Sequence, residues 1–495
     1  MNLPLIIRAE EHNEKTAIAT KDRAFTYRDL LHTSSQIATS LLQNAEDLQE
    51  QRVAFLIPPG FEYVATQWGI WRAGGIAVPL CISHPRPELE YVITNSGASI
   101  IIAHPNFEDI LRSLAEAHNL RFILTSETLP HNVNRLPEID ITRRALILYT
   151  SGTTGKPKGV VTTHQNIQAQ VTSLITAWEW TSEDRILHIL PLHHIHGIIN
   201  VLTCALWAGA ECHILSKFDA ETVWNRICDG ELTLFMAVPT IYVKLIAAWE
   251  TASKERQKIM SEGCAKMRLM VSGSAALPVQ VLDKWQTISG HFLLERYGMT
   301  EIGMALSNPL HGERLAGYVG KPLPQVEVRL VDENGELVPT GTPGEIQVKG
   351  SGVFLEYWQN PEATAKAFQD GWFCTGDTAV VENGNYRILG RMSVDIIKTG
   401  GYKVSALEIE EVLRSHPDIQ ECAVVGVADL EWGERVCAAL VLQGSQPLTL
   451  QAFRSWAKER LAVYKVPTQI LIVEELPRNA MGKVTKPTVV ELFEA

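Results

Sequence analysis

Between Tyr149 and Val160 the chain reads YTSGTTGKPKGV, glycines and lysines set around a run of hydroxyl side chains. Such a loop can turn backbone N–H groups and Thr or Ser hydroxyls inward as an anion nest. Lys156 and Lys158 add mobile positive charge. It does not match the ATPase phosphate loop, GxxxxGK[ST]. Only Thr153 and Thr154 lie between Gly152 and Gly155, and Pro157 follows Lys156, so no hydroxyl stands where that loop keeps its magnesium ligand. A solvated Gly/Thr turn would have the same composition.

Further punctuated segments follow: ERYGMTE (295–301), GWFCTGD (371–377), LGR (389–391), KTGGYKVS (398–405) and PRNAMGKV (477–484). LHHIHGI (192–198) packs three histidines into a short run, but no Cys or carboxylate cluster accompanies it to complete a zinc site.

Length and texture indicate what must position these segments. At 495 residues the chain exceeds one hydrophobic core, so two or more domains are expected. The 46% apolar and 20% charged fractions are those of an ordinary globular protein. No apolar run reaches the ~18 residues of a membrane span. The start, MNLPLIIRAEEHNEK, lacks the basic and apolar regions of a signal peptide, which predicts a cytoplasmic protein. Cysteines 81, 204, 212, 228, 264, 374, 422 and 437 form no C-x-x-C pair, and most read as small core residues. A formal charge of −12 argues against nucleic acid or an anionic membrane as partner. A polyanionic ligand therefore needs a local site.

Short apolar runs (VAFLIP, GIAVPL, SIIIAH, RFILT) alternate with helical patterns such as EYVATQWGIWRAG, which predicts parallel α/β layers. RALILYT, LTLFMAV and MRLMVSG continue them. From about Val326 the strands become closely spaced, and the Asn-Gly pairs of DENGEL and VENGNY predict hairpins. Beyond Arg391 a compact α+β tail follows. The expected fold is α/β and α+β: layered α/β sheets plus a strand-rich, barrel-like subdomain in residues 1–391, and a small C-terminal α+β domain in 392–495.

In order and spacing, these segments resemble the core motifs of the adenylate-forming superfamily of acyl-CoA synthetases, nonribosomal adenylation domains and luciferases, over nearly the whole chain. The resemblance implies two steps. A carboxylate attacks the α-phosphate of ATP and expels pyrophosphate; a thiol then attacks the acyl-adenylate and AMP leaves. Both reactants of the first step are anions, so positioning and charge compensation dominate.

By the same resemblance, Thr150, Ser151, Gly152, Thr153, Thr154 and Gly155 would wrap the β- and γ-phosphates, with Lys158 nearby. Thr300 would hydrogen-bond the α-phosphate, and Glu301 would bind Mg²⁺, which suits one carboxylate plus phosphate oxygens. Asp377, supported by Arg391, would accept hydrogen bonds from the ribose hydroxyls; as Thr-Gly-Asp it also fits an Asx turn. Gly273, Ser274 and Ala275 of SGSAAL would lie against adenine, with Glu295, Tyr297, Gly298 and Met299 completing the nucleotide site. Tyr297 could equally be core. Lys483 would reach both the carboxylate and the bridging phosphate oxygen. Gly400, Gly401, Tyr402 and Lys403 would line a pantetheine tunnel for coenzyme A. Two tasks for the C-terminal domain imply that it rotates as a mobile lid. Its pivot falls at Ser393 or Val394, because GRMSVDIIKTGG is one residue longer than the common form of the motif.

The acid is the remaining question. His196 would border the acyl channel, with Ile195 and Met304 as walls and His193 and His194 as packing. Arg296 stands where many relatives keep a small residue; there it would block a long apolar chain and offer a fork to a second carboxylate. A structural ion pair is the competing reading. Arg314, in GERLAGYVG, is a secondary anion-binding candidate. ERYGMTE, SGSAALPVQVLDKW, GMALSNP and GERLAGYVG resemble malonyl-CoA synthetases, especially the malonate- and methylmalonate-activating branch. The alternatives are a medium-chain or aryl acid, or transfer to an acyl-carrier partner instead of coenzyme A.

Overall fold

The computed structural model of the chain describes residues 3–127, 135–150, 157–399, 402–429, 432–444, 448–479 and 482–494, with only the backbone of Lys403. These residues gather into two compact units. The first comprises Met1–Leu315, Gly320–Glu327 and Val348–Phe373. The second comprises Ala316–Val319, Val328–Gln347 and Cys374–Ala495. Most of the hairpin Trp372–Glu382/Asn385–Arg391 thus groups with the C-terminal segment.

The first unit holds two large sheets. One runs Lys321–Pro322, Gly303–Ser307, Leu294–Met299, Leu269–Ser272, Leu234–Ala237, Arg185–His188, Glu211–Ile214, Thr16–Ala19, Ala24–Thr26. The other runs Glu356–Tyr357, Lys158–Thr163, Arg144–Thr150, Ile76–Pro79, Arg52–Leu56, Ile100–Ala103, Arg121–Leu124. Their central pairs are parallel. Accordingly Ile76–Pro79, Ile100–Ala103, Leu234–Ala237 and Leu269–Ser272 are buried at every position, as strands covered on both faces must be. Helices supply the cover. Tyr27–Leu42 and His164–Trp178 both begin at reciprocal caps, Thr26 with Asp29 and Thr163 with Asn166.

In the second unit the hairpin Trp372–Glu382/Asn385–Arg391 closes through Asn383 (φ 51°) and Gly384 (φ 78°), the paired left-handed residues that the Asn-Gly signal predicts. The C-terminal sheet runs Tyr402–Ser405, Ile396–Thr399, Gly433–Leu442, Ile419–Asp429, with Gln469–Ile472 parallel to Gly433–Leu442. The helices Ala406–Leu413 and Leu450–Lys458 contribute Ile409, Leu413, Phe453 and Ala457 to its core. Among the described residues no helix is long and apolar enough to cross a membrane.

Candidate active site

Three neighbouring strands of the larger sheet, Arg185–His188, Leu234–Ala237 and Leu269–Ser272, run parallel, and Leu294–Met299 continues the set. Their C-terminal ends open toward one edge, where α/β sheets bind ligands. Beyond Ser272 come Gly273 and Ser274; beyond His188 comes the segment leading to His196. Ser274 Oγ lies 3.1 Å from His196 Nδ1. Ser274 holds a left-handed backbone (φ 68°). His196 begins a fully buried π-helical stretch, His196–Thr203, of the kind that recurs at functional sites.

Arg296 lies within the strand Leu294–Met299 and is 4% exposed. Its Nε and Nη2 find no hydrogen-bond partner among the described residues. Desolvation alone pulls the guanidinium down to about 9. The structural ion pair weighed for Arg296 is therefore absent among the described residues. Gly273 packs directly against this guanidinium, so Gly273–Ser274 brings Arg296 and His196 to one place. Ile195 and Met304 are both buried and belong to one large core cluster. The Arg314 guanidinium donates to the carbonyls of Pro309 (3.0 Å), Phe292 (2.5 Å) and Leu310 (2.8 Å). These bonds use one N–H on each of its three nitrogens, of the five that a guanidinium carries.

A second group forms around Glu301. Arg144–Thr150 and Lys158–Thr163 pair antiparallel, with Thr150 opposite Lys158. Ser151, Gly152, Thr153, Thr154 and Gly155 themselves lie outside the described residues. Glu356–Tyr357 adds to the edge of Lys158–Thr163. Tyr357 then donates its hydroxyl to Glu301 Oε1 (3.0 Å), and its ring lies 5.0 Å from Lys158 Nζ. Glu301 is 5% exposed, and its carbonyl accepts the Phe354 N–H at 2.7 Å. Thr300 and Glu301 occupy the turn that links Leu294–Met299 to Gly303–Ser307. One buried carboxylate is a ligand that suits Mg²⁺ shared with phosphate oxygens. Glu295, buried on the strand Leu294–Met299, accepts the Leu277 N–H on Oε1 at 3.4 Å.

The second unit presents its own candidates. Asp377 and Arg391 face each other across the hairpin, Arg391 Nε donating to Asp377 Oδ1 at 2.9 Å. The Asp377 backbone N–H goes to the Thr375 hydroxyl (3.1 Å), which in turn donates to the Ile346 carbonyl (2.8 Å). Past Arg391 the chain turns through Ser393 and Val394, and the Asp395 carboxylate accepts the Arg391 N–H at 3.0 Å. Lys483 follows Gly482 (φ 75°) in an exposed turn closed by Asn479 Oδ1 on the Lys483 N–H (3.0 Å). Tyr402 is exposed and stacks on Tyr464, with ring centroids 4.2 Å apart. Gly400 and Gly401 lie outside the described residues, as does the Lys403 side chain.

Tyr357 was not visible as a site residue from the sequence. No pattern within LEYW marks it, and only the short edge pairing with Lys158–Thr163 carries it to Glu301.

The AMP-binding enzyme family matches residues 6–358, and the AMP-binding enzyme C-terminal domain matches 408–483. The mitochondrial malonate–CoA ligase ACSF3 of Xenopus laevis is 46% identical over 98% of this chain and 91% of its own length. A malonate–CoA ligase of Arabidopsis thaliana is 42% identical over 96% and 85% respectively. The crystal structure of ATP-bound MatB from Rhodopseudomonas palustris superposes with a TM-score of 0.91 at 32% identity, over 100% of this chain and 99% of that one. With Lys158, Arg296 and Glu301 inside the first match and Lys483 inside the second, the chain belongs to the AMP-binding enzyme family.

Proposed function

We propose that this protein is an ATP-dependent acid–CoA ligase that activates malonate or methylmalonate as the acyl-adenylate and passes the acyl group to coenzyme A. The observation that carries the choice of acid is Arg296. A guanidinium that is 4% exposed, with Nε and Nη2 unpartnered among the described residues, is costly unless a ligand supplies the counter-charge. The distal carboxylate of a short diacid does so with bidentate geometry, while the proximal carboxylate stays free to react. Malonate–CoA ligases at 42% and 46% identity support the same reading.

In the first step, Arg296 fixes the distal carboxylate, and the Ser274–His196 pair borders the proximal one. Thr300 donates to the α-phosphate, and Lys158 with the loop 150–155 cradles the β- and γ-phosphates. A Mg²⁺ ion on Glu301 would neutralise phosphate charge during displacement, with Tyr357 holding the carboxylate in place. Gly273, Ala275, Tyr297, Gly298 and Met299 surround the base. Asp377 accepts the ribose hydroxyls, and Arg391 orients it. Lys483 brings an ammonium to the carboxylate and the bridging oxygen as charge builds. In the second step, Gly400, Gly401, Tyr402 and Lys403 guide the thiol. Serving both steps requires residues 392–495 to turn about Ser393 or Val394 relative to 1–391.

The test is acid-dependent pyrophosphate exchange with malonate, methylmalonate, succinate, octanoate and benzoate, followed by acyl transfer to coenzyme A. Malonate or methylmalonate is expected to lead. Arg296→Gly is expected to weaken both and relieve the exclusion of longer monoacids. Full malonate turnover in that variant would refute the diacid assignment and leave the ligase intact.

A further inference from the structure

The helix Arg86–Ser96 belongs to the first unit and has no role in the site described above. Its Leu89, Val92 and Ile93 share one core cluster with Val78, Ile101, Ile147 and Val161, residues of the smaller of the two large sheets. Tyr91 and Asn95 stand one turn apart on this helix, so their side chains address the same stretch of the fold. Tyr91 donates its hydroxyl to the Pro157 carbonyl at 2.8 Å. Asn95 Oδ1 accepts the Tyr149 hydroxyl at 2.7 Å. The two phenol rings meet edge to face, with centroids 6.2 Å apart.

Both hydrogen bonds fall where a strand pair ends. Arg144–Thr150 and Lys158–Thr163 are in register through Tyr149 with Gly159 and Thr150 with Lys158. Pro157 lies one residue beyond that last pair. Gly159 leaves room for the Tyr149 ring, since a Cβ built there would lie 3.2 Å from Tyr149 Cζ and 2.8 Å from Ile147 Cγ2. A phenylalanine at 91 or 149 would fill the same apolar space, so packing alone accounts for neither hydroxyl. One helix thereby fixes Tyr149, next to Thr150, and Pro157, next to Lys158.

We propose that Tyr91, and Tyr149 through Asn95, are positioning residues for the β- and γ-phosphates of ATP, holding Thr150 and Lys158 at the spacing those phosphates require. The inference rests on the phosphate contacts proposed above for Thr150 and Lys158. Each tyrosine acts through the backbone of a neighbour and is not itself catalytic. A lysine carries its charge on a flexible stem, so the ammonium is placed only as well as its backbone is held. Donors already in position spend nothing on reorganisation when the phosphates arrive. The effect is confined to one half of the cycle. ATP and pyrophosphate carry the phosphates concerned, whereas AMP and the acyl-adenylate keep only the α-phosphate.

The test measures equilibrium binding of Mg·ATP and of AMP to the full-length protein by calorimetry, together with thiolysis of preformed malonyl-adenylate by coenzyme A. Tyr91→Phe is expected to raise the Kd for Mg·ATP by about 3- to 10-fold, the scale of one hydrogen bond, with AMP affinity and thiolysis at their wild-type values. Tyr149→Phe is expected to show the same split. An unchanged Kd for Mg·ATP in Tyr91→Phe, or an equal loss for Mg·ATP and AMP as a merely structural role would give, overturns the proposal. A split seen in Tyr91→Phe but absent from Tyr149→Phe overturns the part given to Tyr149 and Asn95. Pyrophosphate exchange in the wild type tests the ligase reading separately: were it absent with every acid, that reading would fail, and the ratio of ATP to AMP affinity would still decide the role of Tyr91.

Discussion

The guanidinium of Arg296 is seated on Gly273: a Cβ placed on that glycine would lie 2.5 Å from Arg296 Cζ and 2.6 Å from its Nε. Real side chains do not approach so closely. The missing Cβ at Gly273 is what lets a buried cation lie beside the Ser274–His196 contact.

Gly273→Ala is therefore expected to push Arg296 out of register at a cost of about 1–3 kcal/mol. Read as malonate kcat/KM, that is a loss of roughly 5- to 150-fold. Steady-state kinetics with malonate check it, and an unchanged kcat/KM would mean that the packing carries no functional weight.

Replacing the cation should stabilise the fold while disabling it. Burial lowers the Arg296 pKa to about 9 in the folded chain. Between that value and its ordinary value, the unfolded chain binds a proton that the folded one does not, so this group's contribution to stability rises with pH there. At neutral pH its burial is a cost. Arg296→Met is expected to gain about 1–4 kcal/mol and to lose the thermal shift that malonate gives the wild type. Melting curves with and without malonate decide the matter; a lower starting melting temperature would contradict it.

Acid should weaken the first unit through two buried imidazoles. Desolvation lowers His164 to about 3 and His188 to about 4. Each stays neutral in the fold while the unfolded chain takes up a proton below about 6.5. Stability is therefore lost as pH falls from there toward the folded values, by up to about 1.4 kcal/mol per pH unit for each residue. His188→Asn should flatten the fall of melting temperature between pH 6.5 and 4.5 relative to wild type, and equal slopes would refute the assignment.

Two lysines near the C-terminus should separate stability from catalysis. Lys486 Nζ lies 2.5 Å from Asp395 Oδ1 and 2.8 Å from Glu410 Oε1, with its side chain 12% exposed. Burial lowers its pKa, but Glu410 and Asp395 outweigh this and raise it overall. Its stabilisation is fully present below the unfolded value and is lost as pH rises through the folded one. Lys486→Met, which takes the ammonium from Asp395 and leaves Glu410 with Arg414 alone, is expected to cost about 3 kcal/mol. Lys483→Ala, in an exposed turn, should change stability by less than about 0.5 kcal/mol. Its acid-dependent pyrophosphate exchange should fall about 100- to 1000-fold, with thiolysis of preformed acyl-adenylate retained. Thermal melts and the two half-reactions measured separately give the answer.

Much of this organisation was legible in the residues. Continuous apolar runs such as GIAVPL and SIIIAH mark strands covered on both faces, because burial on two sides leaves no polar alternation. The Asn383–Gly384 pair marks its hairpin because a tight turn there needs two left-handed residues. The π-helical stretch His196–Thr203 carries no such local sign. Arg314 is a related case: a basic residue announces its charge, whereas the three carbonyls it meets come from Phe292, Pro309 and Leu310 through the path of the fold.

The sequence by itself determined the reaction class, since the ordered glycine, lysine and carboxylate motifs are local patterns whose chemistry follows from residue type and spacing. Tertiary structure alone decided which charges are already spent and which are held in reserve. It committed three N–H groups of Arg314 to backbone carbonyls, left Nε and Nη2 of Arg296 without partners among the described residues, and brought Tyr357 to Glu301. The physical reason is that a charged group's energy depends on burial and on neighbours distant in the chain, and side-chain identity records neither.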